Sequence, residues 1–265
     1  MRFTWAMDHL AYLSLLGVCG LAAGCLGEAL ERSRKAGRLV LIGAAASLAI
    51  VFAVLAQRHA RLFARSRALW SHELQHNPDS ATAHNNLGLA LEAGSETAAA
   101  IDHYRRALQL DESFFEARTN LGNALSAARQ PDEAVRELRL ALDSRRNAAV
   151  AHYNLALAYG AAGRAEEAYG EFGETLRLKP DWAEALYNRG LVGRQLGRPD
   201  ESIRYLSAAV KLAPELAEAH NDLALALMDA HRAAEASEEL QLALRLKPNS
   251  AEFHNNVAAV FAVLG

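Results

Sequence analysis

The sequence predicts an all-α chain in which two apolar helices lead into an α-solenoid of stacked helix–turn–helix units. Three observations carry that reading. Of the 265 residues 51% are hydrophobic and only 7% aromatic, with no runs of alternating β-branched residues. Two 18-residue segments near the start contain no charge. From Ala81 onward one tripeptide pattern returns every 34 residues, without insertion or deletion.

The first apolar segment is Leu10–Gly27 and the second Leu39–Ala56. A helix of that length spans roughly 27 Å, close to the hydrocarbon thickness of a bilayer. Neither segment has the polar stripe of a buried soluble helix, so both are expected to cross a membrane, with residues 1–60 as the anchor. Gly20/Gly24 and Gly43/Ser47 would let the two helix backbones approach in lipid. Ala22-Ala23-Gly24-Cys25 also resembles a lipoprotein cleavage site, but Asp8 and the second apolar segment argue against it. Cys19 and Cys25, six residues apart on a helix, face different directions and are not expected to pair. Charge leaves the orientation open. Arg32, Arg34, Lys35 and Arg38 lie between the segments, against Arg2, Arg58, Arg61, Arg65 and Arg67 on the other side.

The repeat is anchored on Asn86-Leu87-Gly88, Asn120-Leu121-Gly122, Asn154-Leu155-Ala156, Asn188-Arg189-Gly190, Asp222-Leu223-Ala224 and Asn256-Val257-Ala258. It divides the chain into units 81–114, 115–148, 149–182, 183–216 and 217–250, with a lone first helix in 251–265. Position eight of each unit, where two helices cross, is Gly88, Gly122, Ala156, Gly190, Ala224 and Ala258. Position twenty is Ala100, Ala134, Ala168, Ser202 and Ala236; position twenty-seven is Ala107, Ala141, Thr175, Ala209 and Ala243. Between them, position twenty-four is large: Tyr104, Leu138, Phe172, Leu206 and Leu240. Small residues permit close approach and the large one fills the remaining gap. Gly163 and Gly197 fall at the turn within a unit, where a left-handed residue ends the first helix, and Pro180, Pro214 and Pro248 end the second.

These residues resemble the signature of the tetratricopeptide-repeat (TPR) family over about two-thirds of the chain. The resemblance implies a right-handed superhelix with a concave groove, used mainly to hold proteins or peptides. One period before the array, Pro78 matches the position of Glu112 and Trp70 falls at the large packing position. Leu62–His76, within a connecting segment 61–80, is therefore expected to dock under the first unit as a cap. At the other end, Val257, Val260, Phe261 and Val263 give the last helix an apolar face. It reads as a truncated array or as a surface that meets a partner.

The candidate binding residues recur at position six: Asn86, Asn120, Asn154, Asn188, Asp222 and Asn256. A ladder of amides, each both donor and acceptor, can grip the backbone of an extended peptide without reading its side chains. The pattern resembles the asparagine ladder of the O-linked N-acetylglucosamine transferases, which binds peptide substrates. The same residues could instead bridge neighbouring units, and the sequence leaves both roles open.

His84, His152, His220 and His254 recur at position four, on successive units and without ligand spacing, so packing is expected rather than metal binding. Position five (Asn85, Thr119, Tyr153, Tyr187, Asn221, Asn255) carries no base, and Glu116, Glu184, Glu218 and Glu252 edge the groove. That arrangement disfavours a clamp for an acidic peptide tail. The net charge of −3, with no stretch interleaving basic and aromatic residues, gives no footing for nucleic acid. No nucleophile elbow, glycine loop or ligand cluster suggests catalysis, and no cofactor is expected.

A longer resemblance joins the two parts. Asp8-His9-Leu10-Ala11-Tyr12-Leu13 and Arg65-Ser66-Arg67-Ala68-Leu69-Trp70-Ser71-His72 are similar to the last membrane segments of transmembrane, TPR-containing O-mannosyltransferases and their bacterial relatives. It implies repeats on the extracytoplasmic side of a membrane, such as the bacterial inner membrane. The acidic catalytic loop of that family lies upstream of anything in this chain. The function expected is a membrane-anchored scaffold that binds a protein or extended peptide. The alternative is the non-catalytic C-terminal portion of a polytopic glycosyltransferase.

Overall fold

The computed structural model describes residues 66–264, all of whose regular structure is α-helical. Both apolar segments expected to span a membrane lie outside the described residues. No described helix is long and apolar enough to cross one. The chain enters through α1 (66–76), whose Trp70 and Leu74 pack against the apolar cluster that runs from Leu87 to Phe172.

Each unit then supplies two antiparallel helices. These are α2 (Ala81–Ala93) and α3 (Thr97–Leu110), α4 (Phe115–Ala127) and α5 (Pro131–Ser144), α6 (Ala149–Ala161) and α7 (Ala165–Leu178). They continue as α8 (Ala183–Gln195) and α9 (Pro199–Leu212), then α10 (Ala217–Asp229) and α11 (Ala233–Leu246), and α12 (Ala251–Leu264) closes the stack. Pro131 and Pro199 open the second helices of their units, where a missing N–H costs nothing because no intrahelical acceptor exists there.

The turn inside every unit uses a left-handed residue at position fifteen. Gly163 and Gly197 take φ of 73° and 70°, but Ser95, Arg129 and His231 take the same conformation at 62°, 59° and 59°. The turn geometry therefore governs this position even where no glycine relieves it. In each case the next residue returns its N–H to a carbonyl of the last turn of the first helix, as from Gln130 to Leu125 at 2.9 Å.

Packing follows the small–large pattern. Position twenty-four is buried in every unit, and the small residues at positions twenty and twenty-seven are buried with it. The closest approach is at position eight: a Cβ on Gly88, Gly122 or Gly190 would stand 2.6, 2.5 and 2.6 Å from Tyr104, Leu138 and Leu206. Successive first helices also pack against one another, most extensively from unit two to unit three, whereas second helices pack mainly against first helices. The layer whose members crowd each other is the inner layer of a curved stack, so the first-helix face is the concave one.

The step from unit three to unit four is different. Position seven, a leucine or valine in every other unit, is Arg189 here. Its guanidinium lies between the rings of Tyr169 and Tyr205, at 4.5 and 4.4 Å from their centres. The apolar core divides near this point, one cluster running from Leu87 to Phe172 and another from Leu206 to Val260.

Candidate functional site

The position-six residues stand one per unit along the first-helix face, and most of them are engaged with the unit before. Asn120 Nδ2 donates to Asn85 Oδ1 at 2.8 Å, and Asn256 Nδ2 donates to Asn221 Oδ1 at 2.7 Å. Asn188 Nδ2 donates to the Tyr153 hydroxyl at 3.0 Å, and the Tyr187 hydroxyl donates to Asp222. Each bond joins position five of one unit to position six of the next. Four of the candidate residues thus bridge units, a role that the residue type alone left open. Burial and the bond to Asp222 raise the Tyr187 pKa, and burial raises that of Asp222.

A position-five asparagine closes the pattern twice. Besides accepting from the following unit, Asn85 donates to Asn86 Oδ1 at 3.3 Å and Asn221 donates to Asp222 Oδ1 at 3.4 Å. At the step from unit two to unit three, position five is Thr119, and its hydroxyl turns back to the Phe115 carbonyl at 2.8 Å. The ladder fails there. Asn120 Oδ1 and Asn154 Nδ2 are both buried without a hydrogen-bond partner. Leaving such a group unmade costs about 1–3 kcal/mol. Around the break the same face exposes apolar surface, with Val150 43% and Leu157 42% exposed, and a Cβ on Gly160 would meet nothing within 4 Å.

The position-four histidines do more than fill space. Each reaches back six residues to the turn between units: His84 to Pro78 O at 3.1 Å, His152 to Arg146 O at 2.8 Å, His220 to Pro214 O at 3.0 Å, His254 to Pro248 O at 2.9 Å. The other ring nitrogen meets position twenty-three, nineteen residues on. His152 meets Glu171 and His220 meets Glu239, both at 2.6 Å, and His84 meets His103 at 2.9 Å. Arg118 takes the same place in unit two, bonding Glu137 and the Glu112 carbonyl, while Leu186 and Tyr205 replace the polar pair in unit four. The signal was present in the sequence as a matched exchange at positions four and twenty-three. It shows only when the units are compared nineteen residues apart. Among the described residues no group of three or more His, Cys, Asp or Glu is placed to hold a metal.

Two of these latches respond to pH in opposite senses. The bond to Glu171 raises the His152 pKa, so its contribution is present below the ordinary value of about 6.5 and is lost as pH rises through the raised one. Burial, then the neighbouring His84, lowers the His103 pKa, so that contribution is present above about 6.5 and lost as pH falls through the lowered one. His103→Glu gives unit one the partner used in units two, three and five. It is expected to stabilise the array by about 1 kcal/mol near pH 6 and by less at pH 8. Thermal unfolding at the two pH values checks this, and a gain independent of pH would refute it.

A cleft of about 650 Å³ between α5 and α7 includes Arg139, Arg146, His152, Glu171 and Arg177 in its lining. It carries both signs of charge and has none of the ladder residues in its wall.

Comparison with known proteins agrees with this geometry. Family models described as tetratricopeptide repeat match residues 119–181, 161–217 and 194–260, and one described as TPR repeat matches 93–127. No curated protein matches the chain. Among solved structures, the MamA protein is 22% identical with a TM-score of 0.60, covering 65% of this chain and 94% of its own. YrrB, described as a TPR protein with an unusual peptide-binding site, is 20% identical with a TM-score of 0.63, covering 70% and 96%. TTC0263, a thermophilic TPR protein of Thermus thermophilus, is 22% identical with a TM-score of 0.51, covering 69% and 100%. At these identities the likeness is one of fold.

Proposed function

The chain is a tetratricopeptide-repeat protein through residues 93–260, and from that premise we propose a membrane-anchored scaffold that holds an extended protein segment along its first-helix face. The observation that carries the reading is the coincidence, on that concave face, of the amide ladder with exposed Leu89, Val150 and Leu157. Main-chain amides of an extended ligand suit the ladder, and its apolar side chains suit the leucines and valine. The peptide-binding site ascribed to YrrB supports this use of a similar fold. Glu184 and Glu252, edging the face, select against an acidic tail.

The anchor rests on the absence of charge from Leu10–Gly27 and Leu39–Ala56, and the resemblance to the O-mannosyltransferase group favours repeats outside the cytoplasm. No catalytic step is assigned to the chain. The full chain, recovered from the membrane fraction and solubilised, is expected to select peptides from a displayed random library about twelve residues long. Val150→Asp with Leu157→Asp should weaken the selected peptides by about tenfold or more. Recovery in the soluble fraction would remove the anchor. Failure to select any peptide, or selection indifferent to the two aspartates, would remove the groove.

A further inference from the structure

The geometry points to one register point in the groove, at the step between units two and three, where Thr119 leaves a donor and an acceptor for a single residue of a bound peptide. This rests on the scaffold reading above. At the other steps one polar group of the position-six residue is taken by the fold, because position five of one unit bonds position six of the next. An asparagine at position five serves both sides, accepting from the following unit and donating to its own neighbour. Thr119 does neither: its one hydroxyl proton goes to the Phe115 carbonyl, and its oxygen accepts no bond from Asn154 Nδ2. The two atoms that an asparagine would satisfy there are Asn120 Oδ1 and Asn154 Nδ2, and these are the two ladder atoms buried without partners.

The occupant follows from that pairing. In an extended chain the N–H and C=O of one residue point to the same side, as in the hydrogen-bonded pairs of an antiparallel sheet. The N–H would donate to Asn120 Oδ1 and the C=O would accept from Asn154 Nδ2. Asn120 is 3% exposed and held by Asn85, so the acceptor is fixed in place, whereas Asn154 as a residue is only half-buried although its Nδ2 is enclosed, so its amide must turn to meet the ligand. The side chains on either side of the docked residue would run over exposed Val150 and Leu157. Thr119 is in this sense a specificity-determining residue that never touches the ligand: it keeps the site open.

Peptides selected on the full chain from the library, and their singly N-methylated forms, test the assignment. Thr119→Asn should close the ladder, raise the midpoint of thermal unfolding and weaken the peptides by about tenfold or more. Thr119→Val, which closes nothing, should leave affinity within about twofold. Asn154→Ala removes an unpaired donor and should cost affinity without costing stability, unlike Asn188→Ala, which breaks a bridge to Tyr153. One N-methyl position should abolish binding. Selected peptides that bind Thr119→Asn as well as the parent would overturn the register point and leave the scaffold standing. So would peptides that need a side-chain amide and tolerate every N-methyl group. A library that yields no peptide at all would overturn both.

Discussion

Gly122→Val is expected to destabilise the array by about 3 kcal/mol or more, and to split its unfolding into two transitions. A Cβ at Gly122 would stand 2.5 Å from Leu138 Cγ and 2.9 and 3.1 Å from its two methyl carbons. The clash falls on the branch point of a fully buried side chain, which cannot swing aside as the tip of a lysine could. Leu138 is enclosed by Ala134 and Ala141 at positions twenty and twenty-seven, both buried, so its neighbours have no volume to yield. Gly122→Ala brings the same Cβ against Leu138 and should also destabilise, by less than valine, which adds two methyl groups. Unit five already carries Ala224 opposite Leu240, and alanine recovers about 1 kcal/mol of helix propensity lost to glycine. Because units in a stack contact only their neighbours, damage in unit two should uncouple unit one from units three to five. Urea unfolding followed at Trp70 and Trp182, one on each side of the damaged unit, checks the split. Gly122→Val with Leu138→Ala separates overpacking from other causes, since removing the obstructing side chain should recover part of the loss. A midpoint unchanged by Gly122→Val alone would refute the account.

The parts of the fold legible in the sequence are those where one side chain has one steric job. Position eight must be small because the helices cross there, and position twenty-four must be large because it fills the space that leaves; both jobs leave a mark in residue type. Position fifteen leaves none in three units. Ser95, Arg129 and His231 adopt the left-handed turn because the helix pair on either side forces it, and nothing in a serine or arginine signals that. The site was harder still. Asparagine at position six is visible at once, but its partner is position five of the preceding unit, thirty-five residues away. That offset arises from the rotation of one unit against the next, a property of the superhelix that no single residue encodes. The break at Thr119 is visible only after the rule it violates is known. The histidines show the same limit. As an isolated series they suggest packing, whereas the structure ties each to a carbonyl of the inter-unit turn, and His84, His152 and His220 also to position twenty-three.

Arg118→Leu is expected to cost about 2–4 kcal/mol, and Arg118→Leu with Glu137→Tyr to return to within about 1 kcal/mol of the parent. Arg118 and Glu137 meet at 2.7 Å with side-chain exposures of 13% and 10%, so neither charge is well hydrated. Removing the arginine leaves the Glu137 carboxylate buried with only Arg136 nearby, at 3.3 Å, and frees the Glu112 carbonyl that Arg118 also holds at 2.9 Å. A buried charge without its partner is more costly than the intact pair is stabilising, so the single substitution should be severe. The fold itself supplies the neutral solution. Unit four places Leu186 and Tyr205 at the same two positions and packs both against Leu176, Ala185 and Ala209. A double-mutant cycle should therefore show a coupling of about 1–3 kcal/mol. Additive losses in the cycle would mean that the pair acts independently and that units two and four are not solving the same problem. Coupling of the expected size would identify positions four and twenty-three as one exchangeable latch, polar in most units and apolar in unit four, that closes each helical hairpin onto the turn before it.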